Sequence, residues 1–106
     1  MTTNEYGPAN YLLMVVGGPD VGHEHELRDG DLVVGRSRDC GLTLADPAAS
    51  RKHVRLISRG AVLEALDMGT SYGTFVNGER ISRERLKAGD RLRVGDSVIE
   101  VRVADA

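Results

Sequence analysis

Three short motifs with chemically capable side chains follow one another along this chain. The first is Gly35-Arg36, the second is Ser50-Arg51-Lys52-His53, and the third, DMGTSYGTFVNG, runs from Asp67 to Gly78. An arginine guanidinium pairs with two phosphate oxygens at once, while hydroxyls and loop N–H groups complete the hydrogen bonding. Arginine and hydroxyl side chains on turns of this kind are typical of a site that captures a phosphate group.

The distribution of charge along the chain is uneven. The formal net charge of −2 argues against a nucleic-acid partner. Residues 1–35 contain six acidic residues and one basic residue, whereas residues 36–59 contain six basic residues and two acidic residues. The basic excess therefore coincides with the first two motifs.

The elements that must position these motifs are predicted to be β-strands. Short apolar or alternating runs are separated by turns rich in Gly, Pro, Asn and Asp, and no segment keeps a helical apolar stripe for three turns. The alternation in the last run predicts an inward face of Ile99, Val101 and Val103. We expect an all-β, two-sheet sandwich. The runs are Tyr11–Val16, His23–Leu27, Asp31–Val34, Leu42–Leu44, His53–Ile57, Ala61–Leu66, Thr74–Val76, Asp90–Val94 and Val98–Val103.

Length and composition favour one domain in a reducing compartment. A chain of 106 residues fits a single domain, and we assign residues 11–106 to it and residues 1–10 to a flexible tail. Cys40 is the only cysteine, so no internal disulfide forms. No apolar run is long enough to cross a bilayer, and the first ten residues lack signal-peptide features. We therefore expect a cytoplasmic protein without membrane contact.

Enzymatic and metal-binding functions have little support in the sequence. Ser50, His53 and Asp67 contain the residue types of a hydrolase triad, but no nucleophile elbow or oxyanion hole accompanies them. His23 and His25 fall on one face of a predicted strand without a third ligand at diagnostic spacing, so an exposed polar strand is the preferred interpretation. Nucleotide-binding glycine motifs are absent. We expect no catalysis, no metal and no cofactor.

In their order and spacing, the three motifs resemble the forkhead-associated (FHA) domain family, whose members bind phosphothreonine peptides. The resemblance covers the chain from Tyr11 to Val103. It implies about eleven short strands in two sheets, with a peptide site in loops at one end. The implied partner is a protein phosphorylated by a Ser/Thr kinase, and the oligomeric state is left open.

Matched residue by residue, the resemblance implies a role for each motif position. Arg36 and Ser50 match phosphate ligands, Arg51 faces the phosphate or the peptide backbone, and the hydroxyl or backbone of Ser71 approaches the phosphate. His53 matches a structural histidine that braces the loops. The remaining matched positions support the site, and Asn77-Gly78 is in itself a strong hairpin signal. These supporting positions are Gly35, Gly73, Thr74, Asn77 and Gly78.

Tyr72 departs from the family pattern. Most members have an asparagine there, whose amide holds the peptide backbone, and a phenol offers no adjacent donor and acceptor. Tyr72 is expected either to contact peptide at the rim or to pack as an aromatic. Two functions stay open: phosphothreonine-peptide binding, and phosphate-independent interaction or self-association on the same fold. In the second case Arg36 would pair with a surface acid and Ser50 would serve only as a turn residue.

Overall fold

The computed structural model describes residues 11–104, whose regular structure consists of β-strands. The predicted tail, residues 1–10, lies outside the described residues. The strands are β1 (Tyr11–Gly17), β2 (Glu24–Leu27), β3 (Gly30–Gly35), β4 (Leu42–Thr43), β5 (Val54–Arg59), β6 (Val62–Asp67), β7 (Thr74–Val76), β8 (Glu79–Ile81), β9 (Arg83–Leu86), β10 (Arg91–Val94) and β11 (Ser97–Val103).

The strands form two sheets that pack face to face. One sheet has six strands in the order β2-β1-β11-β10-β7-β8, and the other has five in the order β4-β3-β5-β6-β9. Neighbouring strands are antiparallel except for β3 and β4, which are parallel. The all-β two-sheet sandwich predicted from the sequence is confirmed.

The core lies between the inward faces of the two sheets. Alternation places Val54 and Leu56 of β5 and Ile99 and Val101 of β11 inside, each without solvent exposure. Val103 was predicted to continue that inward face, and this prediction is wrong. It is 65% exposed because it stands on the last rung of the β1–β11 ladder, opposite Tyr11, at the margin of the core.

Two strands, β8 and β9, were not among the runs predicted from local pattern. Each lies at the edge of its sheet, and their side chains are mostly exposed and charged. Charged side chains on an edge strand discourage pairing with another chain, but they also remove the apolar alternation that would reveal the strand in the sequence. The other strands match the predicted runs to within about two residues.

The three motifs are brought together at one end of the sandwich. The N–H of Arg36, just after β3, donates to the carbonyl of Ser50 in the β4–β5 loop. His53, at the end of that loop, reaches the carbonyl of Gly73 in the β6–β7 loop. The β10–β11 turn joins the same end, because Asp96 donates its N–H to Asp46.

The predicted hairpin at Asn77-Gly78 is confirmed at the opposite end. Val76 of β7 pairs with Glu79 of β8, so the loop between the two strands contains only Asn77 and Gly78. Both have positive φ, 51° for Asn77 and 87° for Gly78, as a tight hairpin turn requires.

Candidate functional site

A groove of about 690 Å³ opens at the end of the sandwich where the motifs meet. Its walls come from the residue after β3, the β4–β5 loop, the β6–β7 loop with β7, and the β10–β11 turn with the end of β10. The lining residues are Arg36, Pro47, Ala48, Ala49, Ser50, Tyr72, Gly73, Phe75, Arg93, Gly95 and Asp96.

Arg36 is held by backbone contacts while its terminal nitrogens remain available. Its N–H donates to the Ser50 carbonyl at 3.0 Å, and its side-chain Nε donates to the Ala49 carbonyl at 3.2 Å. The side chain is exposed and forms no ion pair within residues 11–104. The guanidinium is therefore oriented at the groove with both Nη groups free to donate to a ligand.

Close chain packing beneath Arg36 requires glycine at position 35. A Cβ atom on Gly35 would lie 2.3 Å from the carbonyl oxygen of Arg51, well inside van der Waals contact. The β3 end and the β4–β5 loop can approach this closely only without a side chain at residue 35. Gly35 thus supports the placement of Arg36 against the loop that carries Ser50.

The other predicted ligand residues divide into two groups. Ser50 is half-buried and lines the groove with Arg36. Arg51 and Ser71 are exposed and do not line it. The Arg51 carbonyl accepts from the N–H of Ser37 and from the Cys40 thiol, so its backbone is fixed, whereas its side chain forms no ion pair within residues 11–104. These two residues stand beside the groove rather than in it.

His53 is a buried brace between two loops. Its Nδ1 accepts from the N–H of Ser50 at 3.0 Å, and its Nε2 lies 2.9 Å from the carbonyl oxygen of Gly73. These contacts assign the proton to Nε2, which donates to that carbonyl. The side chain has no solvent exposure, so both ring nitrogens act on the backbone and neither faces the groove.

Asp67 organises the β6–β7 loop through four hydrogen bonds. Its Oδ1 accepts from the Thr70 and Thr74 hydroxyls at 2.7 Å, and its Oδ2 accepts from the backbone N–H groups of Gly69 and Thr70 at 3.0 Å. Burial would raise the pKa of Asp67, but these hydrogen bonds outweigh it and hold the pKa below the usual value. The loop that presents Ser71 and Tyr72 is thereby tied to a charged carboxylate.

Asp46 plays the same part for the β4–β5 loop, and sequence reasoning missed it. Its carboxylate is fully buried and accepts from the N–H of Ala48, the N–H of Asp96 and the hydroxyl of Ser97. Burial alone would raise the pKa of Asp46, but the hydrogen bonds from Ser97, Ala48 and Asp96 hold it below the usual value. The aspartate before Pro47 was a local turn signal, whereas its contact with Ser97 was not readable from the sequence.

Tyr72 is placed at the rim and not in the core. Its side chain is 79% exposed, it lines the groove, and its hydroxyl forms no hydrogen bond within the described residues. Of the two roles left open by the sequence, the packed aromatic is wrong, because the ring is mostly exposed. The phenol stands beside Gly73, whose carbonyl is held by His53.

Phe75 and Arg93 were also missed by sequence reasoning. They pair across β7 and β10, and both line the groove. Phe75 lies inside the third motif but was given no role, and Arg93 reads in sequence as an ordinary outward-facing strand residue. Only the pairing of two strands that are distant in sequence brings it to the site.

The geometry does not assemble the alternative sites weighed from the sequence. His53 bonds to backbone groups and Asp67 to threonines and backbone, so Ser50, His53 and Asp67 do not form the hydrogen-bond relay of a triad. Within residues 11–104, no three His, Cys, Asp or Glu side chains cluster as metal ligands. The same part of the chain contains no helix suited to spanning a bilayer.

Comparison with known proteins places this arrangement in a family. A protein-family model described as the cytoplasmic domain of an inner membrane component of T3SS, an FHA-like domain, matches residues 14–105. A solved FHA domain studied for phosphothreonine-dependent interactions is similar at 30% identity, with a TM-score of 0.83, 92% of this chain and 99% of that chain being covered. The chain belongs to the FHA domain family.

Other FHA domains show the same likeness. The FHA domain-containing protein FhaA of Mycobacterium tuberculosis is 34% identical over 82 residues, which is 77% of this chain and 16% of FhaA. The crystal structure of the FhaA FHA domain complexed with the intracellular domain of Rv3910 is similar at 32% identity, with a TM-score of 0.80 and coverage of 87% of this chain and 99% of that chain. This FHA domain therefore corresponds to about a sixth of the length of FhaA.

Proposed function

We propose that this FHA domain is a non-catalytic module that binds a phosphothreonine-containing segment of a partner protein in the groove. Arg36 and Ser50 hold the phosphate, while Arg51, Ser71 and Tyr72 contact the phosphate or the adjacent peptide from the rim. Such a partner is produced by a Ser/Thr kinase, so the domain acts in phosphorylation-dependent assembly. We place this activity in the cytoplasm, where such kinases and their protein substrates meet.

The observation that carries the proposal is the state of Arg36. Its Nε donates to a backbone carbonyl, and within residues 11–104 its two Nη groups form no hydrogen bond and no carboxylate pairs with it. A planar fork held in this way matches two oxygens of a phosphate dianion. An arginine placed only for surface solubility would pair with any nearby acid or extend freely into solvent.

The surrounding loops are ordered before any ligand arrives. His53 fixes the backbone at Ser50 and Gly73, and Asp46 and Asp67 fix the two loops on either side of the groove. Loops ordered in advance lose less conformational freedom on binding, so more of the interaction energy appears as affinity. The site is therefore suited to capture of a short extended peptide.

The decisive experiment is a calorimetric titration of a phosphothreonine peptide and its unphosphorylated twin, chosen from a degenerate phosphothreonine array. We expect binding of the phosphorylated peptide alone. Arg36→Ala should abolish it while leaving the fold intact, because charge-assisted hydrogen bonds to the phosphate of about 1.5–3 kcal/mol each are lost. Arg36→Lys should restore only part of the affinity, because an ammonium lacks the planar fork. Arg85→Ala, at an exposed arginine of β9, is the matched control and should bind as the native protein does.

Equal binding of both peptides, or unchanged affinity in Arg36→Ala, would contradict the proposal. Those results would favour the phosphate-independent interaction module instead. Among the exposed large apolar side chains of residues 11–104, only Val62 of β6 and Val103 of β11 lie on strands, and these strands belong to different sheets, whereas Val21, Met68 and Tyr72 lie in loops. The phosphate-reading function is therefore the one that the geometry supports best.

A further inference from the structure

An aromatic ring between two arginines lies on the outer face of the six-stranded sheet, beside the groove. Phe75 of β7 pairs directly with Arg80 of β8 on one side and with Arg93 of β10 on the other. Directly opposite residues of paired strands share a face, so the three side chains form one row. Phe75 is half-buried and both arginines are exposed.

Both arginines in this row are tethered by backbone carbonyls and not by acids. The Nε of Arg93 donates to the Gly95 carbonyl at 3.1 Å, and Arg80 lies against Gly73 and reaches the Ser71 carbonyl at 3.4 Å. Neither forms an ion pair within the described residues. The guanidinium of Arg93 thus keeps two Nη groups available, as Arg36 does.

Other outward arginines of the same sheet are neutralised. Arg91 of β10 donates to Glu100 at 3.2 Å, and Arg102 of β11 donates to the same carboxylate at 2.8 Å. Arg91 and Arg93 are alternate residues of one strand and project from the same face. One has an acidic partner and lies outside the groove, whereas the other has none and lines it.

We propose that Arg93 and Phe75 form a second anionic subsite, which selects a negatively charged side chain close to the phosphothreonine in the partner. This inference rests on the proposed function, because the groove joins Arg36 to Arg93 and a single peptide would occupy both. The anionic group accepts hydrogen bonds from Arg93, and its aliphatic stem packs on the Phe75 ring. The group is either a carboxylate or a second phosphorylated residue, since both offer oxygens to a guanidinium.

Asp96 sets the strength of this preference. It lines the groove beside Gly95 and is exposed, and its carboxylate is not paired with Arg93. Its negative charge opposes an anion at Arg93 without removing the hydrogen-bond donors. The two residues therefore predict effects of opposite sign, and this pair of effects distinguishes a specific subsite from a general attraction of acidic peptides.

The test is an array of phosphothreonine peptides in which one glutamate is walked through every flanking position, beside a glutamine series and a phosphoserine series. The native protein should prefer glutamate over glutamine at one or two positions by about three- to tenfold. Arg93→Gln should remove that preference while still binding the glutamine peptides. Asp96→Asn should enlarge it, and Arg91→Gln, the matched control, should leave it unchanged. The phosphoserine series shows whether a second phosphate binds more tightly than a carboxylate.

The outcomes separate the two proposals. A preference that persists in Arg93→Gln, or the absence of any glutamate preference among peptides that bind through phosphate, overturns the second subsite alone. If no phosphothreonine peptide binds more tightly than its unphosphorylated twin, the proposed function fails and the subsite fails with it. Melting temperatures measured for each variant ensure that loss of preference is not loss of fold.

Discussion

The two ends of the sandwich use the same means to order their loops, but at the groove end the two lining arginines, Arg36 and Arg93, keep side-chain donors in reserve. At the groove end, buried Asp46 gathers the N–H groups of two loops and the hydroxyl of Ser97. At the opposite end, Asp90, 5% exposed, accepts from the Asn77 amide and the Lys87 N–H. In each case an aspartate inside the structure holds segments that are distant in sequence.

The two ends differ in which side-chain hydrogen-bond donors stay unpaired once the loops are held. At the opposite end both the nitrogen and the oxygen of the Asn77 side-chain amide are hydrogen-bonded, since the oxygen accepts from the N–H of Arg91. At the groove end Arg36, Ser50 and Arg93 keep side-chain donors without partners in the described part of the chain. The unpaired donors at the groove end are what the proposed phosphate site requires, whereas the paired polar groups at the opposite end only hold the loop.

Lowering the pH should weaken the hydrogen bonds that hold the loops at both ends, and we expect it to cause the largest loss of unfolding free energy. The pKa values of Asp46, Asp67 and Asp90 are lowered in the folded state, because hydrogen bonds to each carboxylate outweigh the opposing effect of burial. Groups with a depressed folded pKa contribute stability that is fully present above the unfolded value of about 3.9 and is lost as the pH falls through the folded pKa. Chemical denaturation should show a steep loss of unfolding free energy between about pH 5 and about pH 2. A flat profile there would mean that these carboxylates do not stabilise the fold.

Removing one carboxylate from each end should show that both ends stabilise the fold but only the groove end supports phosphopeptide binding. Asp67→Ala leaves the Thr70 and Thr74 hydroxyls without their acceptor, and Asp90→Ala does the same to the Asn77 amide. Each should lower the free energy of unfolding by about 2–4 kcal/mol. Only Asp67→Ala should also weaken phosphopeptide binding when both proteins are titrated well below their melting temperatures. Equal losses of affinity in the two variants would remove the distinction between the ends.

His53→Ala tests the brace between the two groove loops. It leaves the N–H of Ser50 and the carbonyl of Gly73 unpaired and opens a buried cavity, so we expect a loss of about 2–3 kcal/mol together with weaker phosphopeptide binding. The matched control is His23→Ala at an exposed position, which should change neither quantity. A sharp fall in affinity at constant thermal stability would instead mean that His53 contacts the ligand.

The smallest effect is expected at Tyr72. If the phenol does not replace the amide of the usual asparagine, the native domain binds at tens to hundreds of micromolar, about −5 to −6 kcal/mol. Tyr72→Asn should then tighten phosphopeptide binding by about 1 kcal/mol, the net value of an added hydrogen bond. The unphosphorylated twin is the control and should not gain. Weaker binding of the phosphopeptide would show that the tyrosine itself is a ligand contact.

Much of the architecture was readable from local sequence. Alternating runs such as His53–Ile57, which falls on β5, predicted the sandwich, because the side-chain period of a strand is two residues and one face must be buried. Asn77-Gly78 predicted its hairpin, because the turn needs positive φ at both residues and few residue types other than glycine and asparagine adopt it. The short polar strands β8 and β9 and the inward or outward direction of the last residue of β11 were not readable, since their mostly exposed side chains follow no burial pattern.

The sequence by itself determined the types of side chain that the three motifs carry and the order in which the loops present them. Only the tertiary structure decided that Asp46 meets Ser97, 51 residues away, and that Arg93 lines the same groove as Arg36. The physical reason is that motif spacing reports contacts made within a turn, whereas these contacts arise from the packing of two sheets. Which arginines stay unpaired is settled by which acids the fold brings near, and that is a property of the assembled sandwich.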